Sequence, residues 1–438
     1  MKQGLRKVDV TYPKDLVVMN EIREEGSGNR KIKRQKLSND HCETRLDTQI
    51  KQSVPKEHCM ERGVMDSVES EKSKVENLQQ NATSIGSVAV KKIPTDDDCF
   101  LIRRKLHHTG EDLSRKLSDE LMLIIFRWLP KRSLVRCAFV CKRWRQIAYD
   151  ESLWTRLDLG SGVLKSGSLS YVLARGVSAL RLAQADIHEP IFSSPCSIVE
   201  NGAFNKLQYL DLSMTVISGK DLAELLKTCQ SLLKLSLERC SIIQESCCAI
   251  SINSKLEVLN MSMCCGLKEI GLRKILSGCQ KLTELNLAWT CLNSSALEIL
   301  ARFAPRTLGR LNISGCGKYL SDKHICQLVQ TCPHLVELDL SDCTSLTASC
   351  IEYICNLQKL EHVALSRCYN IGSSSYLLLS RIDSLLYLDV MGLFADQSLV
   401  HLKQNLSNIS VNKFLFSSIA RPTVGVRRTS IWGLKVRR

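Results

Sequence analysis

One nine-residue template, L-x-x-L-x-L-x-x-C, recurs eight times between Leu207 and Leu393. It reads LQYLDLSMT at Leu207, LLKLSLERC at Leu232, LEVLNMSMC at Leu256 and LTELNLAWT at Leu282. It continues as LGRLNISGC at Leu308, LVELDLSDC at Leu335, LEHVALSRC at Leu360 and LLYLDVMGL at Leu385, with starts 24 to 27 residues apart. No unit of this size buries its apolar face alone, so the units must stack and share one continuous core. Weaker copies, LWTRLDL from Leu153 and VSALRL from Val177, precede the clear ones and bring the count to about ten.

The period is that of leucine-rich repeats. Alternation across L-x-L puts the leucines of a short strand on one side. An amphipathic stretch follows each strand, such as LAELLKTC (Leu222–Cys229) or ICQLVQTC (Ile325–Cys332). The expected fold class is α/β: a right-handed solenoid of βα units of about 25 residues, over residues 154–410. The ninth position is Cys at 240, 264, 316, 343 and 368, and Cys229, Cys279 and Cys332 sit three residues before a repeat. These read as small buried packing groups, because nothing in the spacing supplies the base or the positive setting of a reactive thiol. The fifth position is short and polar (Asp211, Ser236, Asn260, Asn286, Asn312, Asp339, Asp389) and the seventh mostly small, which predicts an open floor along the strands. Larger side chains stand at the eighth position, where Arg239, Trp289, Asp342 and Arg367 form a rim of interface composition.

The formal charge of +15 is dispersed in short clusters, which argues against nucleic-acid binding. No apolar run reaches the length of a membrane span, and the first thirty residues lack the apolar core of a signal peptide, so an intracellular protein without a membrane anchor is expected. There the 21 cysteines are thiols, and none has C-x-x-C spacing. GSGVLKSG after Leu159 lacks the ending of a phosphate loop, and H-E-x-x-H and G-x-S-x-G are absent. No catalytic group, metal site or cofactor is expected.

Three further regions flank the repeats. Residues 1–95 have the composition of a disordered tail, and carry a candidate nuclear-import cluster, Arg30, Lys31, Lys33, Arg34 and Lys36, which gives an expectation of nucleus and cytoplasm. Residues 113–153 are a compact helical unit. In LSDELMLIIFRWLP, Ser118 is placed to cap a helix, with Leu117, Leu121, Ile124, Ile125, Trp128 and Leu129 on one helical stripe. Met122, Leu123 and Phe126 lie off that stripe, so the helix is apolar on most sides and needs cover on most sides. Residues 411–438 carry no repeat but too many apolar residues for a free tail, and are expected to pack on the solenoid.

The stretch LSDELMLIIFRWLPKRSLVRCAFVCKRWRQIAYDESLW resembles an F-box through Leu117, Asp119-Glu120-Leu121, Ile125-Phe126, Leu129-Pro130, Val140 to Trp144 and Leu153-Trp154. An F-box ahead of cysteine-type leucine-rich repeats is similar to one family of ubiquitin-ligase substrate receptors. DDDCFLIRRKL, LSDCTSL, LSRCYNI and FSSIARPTVG…IWGLK resemble its S-phase-kinase-associated class. The resemblance implies a non-catalytic receptor of an SCF-type ligase. It implies docking on a Skp adaptor through Leu117, Glu120, Leu121, Ile124, Ile125, Trp128, Leu129, Pro130, Val140, Cys141 and Trp144, with cullin and RING subunit joined through the adaptor. It further implies that Trp289, Asp342, Arg367 and Phe416 bind a phosphorylated Kip-class kinase inhibitor together with a small Cks accessory protein. The family's Leu-Pro entry is Leu117-Ser118 here, a hydroxyl cap in place of a rigid ring. The alternative the repeats allow is a non-degradative protein-binding scaffold or inhibitor, and cullin co-purification separates the two.

Overall fold

The structure, a computed structural model, describes residues 113–192, 206–423 and 430–437. The tail through residue 95, with the basic cluster at Arg30–Lys36, lies outside the described residues.

The chain enters through three short helices, α1 (Asp119–Phe126), α2 (Lys131–Cys137) and α3 (Lys142–Ala148). Ser118 caps α1 by accepting from the Leu121 amide at 3.4 Å. Asp119 and Glu120 follow in the first turn, where negative charge suits the helix dipole. Arg143 on α3 holds Asp119 at 2.7 Å and donates to the Leu117 carbonyl, fixing the start of α1 to α3. Pro130, with φ −59°, is the N-cap of α2, which therefore opens at Lys131.

Most of the stripe read from the sequence stays open, with Leu121, Ile124, Ile125 and Trp128 exposed, and the residues off it supply the core. Met122 and Phe126, off that stripe, are 3% and 1% exposed and form the core with Leu134, Val135, Ala138, Ile147 and Ala148. The cause is size: α1 has eight residues, and the side that packs on α3 is the one covered.

A turn at Glu151–Leu153 leads into the repeats, and the Trp154 indole, 3% exposed, donates to the Ala148 carbonyl at 2.8 Å. The strands are β1 (Arg156–Asp158), β2 (Val163–Leu164), β3 (Ala179–Arg181), β4 (Asp186–Ile187), β5 (Tyr209–Asp211), β6 (Lys234–Ser236) and β7 (Val258–Asn260). They continue as β8 (Glu284–Asn286), β9 (Arg310–Asn312), β10 (Glu337–Asp339), β11 (His362–Ala364), β12 (Tyr387–Asp389) and β13 (Ser410–Val411). Eleven of these, all but β2 and β4, form one parallel sheet in chain order, with each repeat in register with the next. The two weak copies supply β1 and β3, and Ser410–Val411 adds a strand beyond the ten units read from the sequence. Helices α4 (Ser168–Leu173), α5 (Gly219–Thr228), α6 (Gln244–Ser251), α7 (Glu269–Gly278), α8 (Ser294–Phe303), α9 (Asp322–Thr331), α10 (Ala348–Ile354) and α11 (Asp396–Asn405) alternate with the strands, with a 3-10 segment at Ser373–Arg381. Each of α6 to α9 packs on the helix before it. Among the described residues no helix is long and apolar enough to cross a membrane.

Three ladders besides the strand pairing join neighbouring repeats. The leucines at the fourth and sixth template positions are at most 1% exposed, and burying each contributes about 1.5–3 kcal/mol. At the eighth position the backbone is left-handed in Arg239, Met263, Trp289, Asp342 and Arg367, with φ between 57° and 61°. That turn carries each eighth-position amide to the seventh-position carbonyl of the next repeat, as in Arg239 N to Ser262 O at 2.9 Å and Trp289 N to Ser314 O at 2.9 Å. At the ninth position the side chain donates to the sixth-position carbonyl of the repeat before it in Cys240 to Leu212 at 3.2 Å, Cys264 to Leu237 at 3.0 Å, Cys368 to Leu340 at 3.2 Å and Thr215 to Leu182 at 2.8 Å, whereas Thr290 donates to Leu287 of its own repeat at 2.7 Å. Cys and Thr alternate there because both are small and both donate.

Candidate protein-binding surfaces

The fifth-position residues do not form an open floor. They are 0–8% exposed, because Asp and Asn at the strand ends turn their side chains onto their own backbone. The Oδ1 atoms of Asp211, Asn260, Asn286, Asn312 and Asp339 accept from the amide two residues on, at 2.9–3.1 Å. In the first repeats the same position carries an alternating buried ladder, with Arg181 3.0 Å from Asp158 and 3.8 Å from Asp211.

The chain's own C-terminal segment lies along this face. Asn412 accepts from the Val390 amide at 2.7 Å, and the Phe414 ring sits 5.0 Å from Tyr387 and 5.1 Å from His362. Asn286 donates to the Ile419 carbonyl at 3.0 Å, and the Ala420 amide donates to Glu284 at 2.9 Å. Further along the chain, β14 (Ser430–Ile431) and β15 (Leu434–Lys435) form a hairpin whose Ile431 and Val436 pack on Ala179, while Trp432 lies 6.4 Å from Tyr209. The Asp158 amide donates to the Arg437 carbonyl at 3.0 Å, and the Arg437 guanidinium donates to the Arg127 carbonyl at the end of α1. The segment thus runs from the last strand back to the first and reaches the helical unit.

Among the described residues, two surfaces singled out in the sequence are open. On the helical unit, Leu121, Ile124 and Ile125 are 46–52% exposed and Trp128 is 79% exposed. Val140 is 62% exposed beside Phe139 at 55%, a residue the sequence reading passed over although it adjoins Val140 in CAFVC. Glu120, Pro130 and Cys141 are exposed at the same unit's surface, and the Ser118 hydroxyl beside Glu120 holds that carboxyl below the usual range. Leu117, Leu129 and Trp144 are half-buried against the core instead, with Trp144 edge-on to Phe126 at 5.3 Å. Cys141 caps α3 by accepting from the Trp144 amide at 3.4 Å.

The second open surface is the rim. Arg367 makes a two-pronged ion pair with Asp342, 2.5 Å at each contact, which raises the guanidinium pKa further. Trp289, 37% exposed, lies over Gly315, where a Cβ would come within 2.3 Å of the ring. The indole is thus held by the next repeat while its outer part stays open. Phe416 is 74% exposed beside Leu415 at 68%. The structure brings Asp342 and Arg367 together, and places Trp289 two repeats before Asp342 on the same edge.

The ninth-position thiols are buried. Burial pushes Cys240 and Cys316 up to about 12 and Cys368 to about 11, and holds Cys264 and Cys343 well above the ordinary thiol range. Among the described residues no group of His, Cys, Asp and Glu could hold a metal ion.

With this geometry in view, the family described as SKP2 LRR domain matches residues 167–438, and the family described as F-box-like matches residues 119–160. The chain is similar to Lysine-specific demethylase 2B of Mus musculus, 27% identical over 57% of this chain and 18% of that protein. It is similar to Lysine-specific demethylase 2A of Xenopus tropicalis, 25% identical over 64% of this chain and 21% of that one. It is also similar to F-box/LRR-repeat protein 4 of Bos taurus, 28% identical over 56% of this chain and 41% of that one. The chain spans well under half the length of each of these relatives.

Proposed function

We propose that this chain, which belongs to the SKP2 leucine-rich-repeat domain family and carries an F-box-like domain ahead of the repeats, is the substrate-recognition subunit of an SCF-type E3 ubiquitin ligase. The observation that carries the reading is the uncovered face of α1. Leu121, Ile124, Ile125 and Trp128 expose large side chains together, in a unit of about forty residues, near the lower limit for folding alone. A Skp-type adaptor laid on that face removes it from water and brings cullin and RING subunit with it. The receptor does no chemistry: it raises the concentration of a bound substrate near a charged ubiquitin-conjugating enzyme. Replacing Ile125 with Asp puts a charge into that interface at a cost of several kcal/mol. Adaptor and cullin should then be lost from the purified complex while the repeats stay folded, and unchanged cullin recovery sinks the reading.

The finer proposal concerns the substrate. Trp289, the Asp342–Arg367 pair and Phe416 form one composite surface for a Cks accessory protein and a phosphorylated Kip-class inhibitor. Strands about 4.8 Å apart put Trp289 and Arg367, three repeats apart, on the order of 15 Å from each other, a span a small folded protein covers and one phosphorylated side chain does not. Trp289→Ala and Phe416→Ala should each weaken Cks-dependent capture of inhibitor by about 2 kcal/mol, the scale of an interface hot spot, without changing adaptor binding. Equal capture in the absence of the Cks protein, or normal capture by both variants, overturns it.

A further inference from the structure

A cavity of about 410 Å³ lies where the helical unit, the first repeat and the C-terminal segment meet. Five cations line it: Arg127 after α1, Lys131 at the start of α2, Arg156 on β1, and Lys435 and Arg437 from the segment that crosses the sheet. Among the described residues its lining holds no carboxylate. Among the described residues none of the five is in an ion pair with an acidic side chain. The nearest acids on the adjoining turn are engaged elsewhere: Asp150 accepts from the amide and hydroxyl of Ser152, and Glu151 pairs with Lys206. Elsewhere in the fold Arg143 pairs with Asp119, Arg181 with Asp158 and Arg367 with Asp342.

Assembling five like charges from three separate pieces of chain opposes the contacts that join those pieces. Arg437 donates to the Arg127 carbonyl and Lys131 to the Leu153 carbonyl, so two of the cations are held in place by neutral acceptors with their charge uncompensated. The remaining lining includes the hydroxyl residues Ser152 and Thr155. We infer that this cavity binds a compact soluble anion carrying two or more phosphate groups, and that the anion ties the helical unit, the first repeat and the C-terminal segment together. The charge count selects the class. One phosphate monoester supplies a charge of about −1.5 to −2 at neutral pH, and leaves most of the site unbalanced. A nucleic acid strand needs an extended basic groove with exposed stacking rings, whereas the rings described here, Phe126 in the lining and Trp154 beside Lys131, are 1% and 3% exposed and belong to the core.

The protonation of Lys131 adds a signature. Burial, and then the charge of Arg437, hold its ammonium down to about 8. The groups facing it are Arg127 on its own side, Arg156 from β1, Lys435 and Arg437 from the tail, the Trp154 ring at 5.3 Å and the Leu153 carbonyl. An anion in the cavity favours the charged form and takes up a proton on binding, so affinity falls as pH rises through 8.

The test titrates the full-length chain with orthophosphate, pyrophosphate and tripolyphosphate by calorimetry, with thermal melting in parallel. Tripolyphosphate should bind one per chain, at least tenfold tighter than orthophosphate, and raise the melting midpoint by several degrees. Arg156→Gln and Lys435→Gln, both at exposed positions, should each weaken it about tenfold. Lys403→Gln, which removes the same charge from α11 far along the chain, should leave it unchanged. Lys131→Gln keeps a donor for the Leu153 carbonyl and should abolish the loss of affinity between pH 7 and 9. Absence of saturable binding overturns the inference, as does an equal loss in Lys403→Gln, which would mean diffuse charge. Binding to phosphoinositide-bearing vesicles without binding of the soluble anion overturns it in favour of a membrane surface.

Discussion

On the first helix of the F-box unit, Leu121, Ile124, Ile125 and Trp128 are 46–79% exposed, while in the repeats the fourth- and sixth-position side chains are at most 1% exposed. The two regions draw on the same aliphatic residues, and what separates them is whether the next element in the chain supplies the cover. Every repeat is followed by a copy of itself in register, so each leucine row meets another leucine row and the only open edges are at the ends. The helix Asp119–Phe126 has no such neighbour: Lys142–Ala148 covers the side bearing Met122 and Phe126, and the chain then leaves. A repeat array completes itself, whereas the helical unit stops half-covered, and its open half is where a separate protein has something to gain by binding.

One matched pair of substitutions breaks this comparison or sharpens it. Leu285→Asp buries a charge between two repeats, costs several kcal/mol, and should abolish the cooperative melt of the solenoid. Trp128→Asp places the same charge on a side chain that is 79% exposed, and should shift stability by no more than about 0.5 kcal/mol. Circular-dichroism melts of the two variants decide it: comparable destabilisation would mean that Trp128 is packed, and that the helical unit leaves no face waiting.

The solenoid was legible because its signal is written in relative positions. Leu207 predicts what Leu232 does, and register follows from spacing alone, down to the pairing of Leu210 with Leu235. The weak copies at Leu153 and Val177 give the strands Arg156–Asp158 and Ala179–Arg181. Two things were not legible. The Asn and Asp of the fifth position look like a polar floor by composition, but an Asx side chain satisfies the amide two residues ahead before it serves a partner, and in the strand-end geometry it is buried doing so. The course of the C-terminal segment rests on a few contacts across great sequence distance, such as Asn286 with Ile419, and no periodicity announces them. On the F-box, helical spacing identified an apolar stripe correctly as a set, but which side of a helix faces inward is fixed by the helices beside it. The rim residues Trp289, Asp342 and Arg367 were visible as outliers in size, without the left-handed backbone that sets them at the turn.

A smaller effect separates the repeats from one another. The hydroxyl of Thr215 and the thiol of Cys240 both reach the sixth-position carbonyl of the preceding repeat, and that carbonyl already accepts an amide from its own repeat, as Leu212 does from Thr215 at 3.1 Å. The side chain therefore supplies a second bond. Thr215→Val, which keeps shape and removes the donor, should cost about 1 kcal/mol, and Thr215→Cys less. In the same melts, thiol labelling of the folded parent should reach Cys141, Cys265 and Cys291, which are exposed, long before the ninth-position thiols. A Val variant as stable as the parent would assign the ninth position to packing alone.

The smallest effect lies in the charge of the fifth position. Asn260, Asn286 and Asn312 and the acid Asp339 make the same bond to the amide two residues on, at 2.9–3.1 Å, so the carboxylate adds no hydrogen bond that an amide lacks. Burial, with a contribution from Asp342, raises the Asp339 pKa, against the bonds from Ser341 and the pull of His362. A carboxyl whose folded pKa lies above its unfolded value, about 3.9, favours the folded state at acid pH and loses that contribution as pH rises through the folded value. Above that folded value the parent has lost it. Asp339→Asn cannot titrate, so it should gain on the parent as pH rises, and the gap should close toward acid pH. Asp389 is the internal control. It holds His362 at 2.7 Å across one repeat boundary, so Asp389→Asn gives up a charge-assisted bond and should be no more stable than the parent at pH 7. Denaturant unfolding of the two variants at pH 4, 5.5 and 7 distinguishes them. If Asp339→Asn is less stable than the parent at every pH, the acid at that step of the ladder serves a contact that Asn at the neighbouring steps does not make, and the repeats are less interchangeable than their register implies.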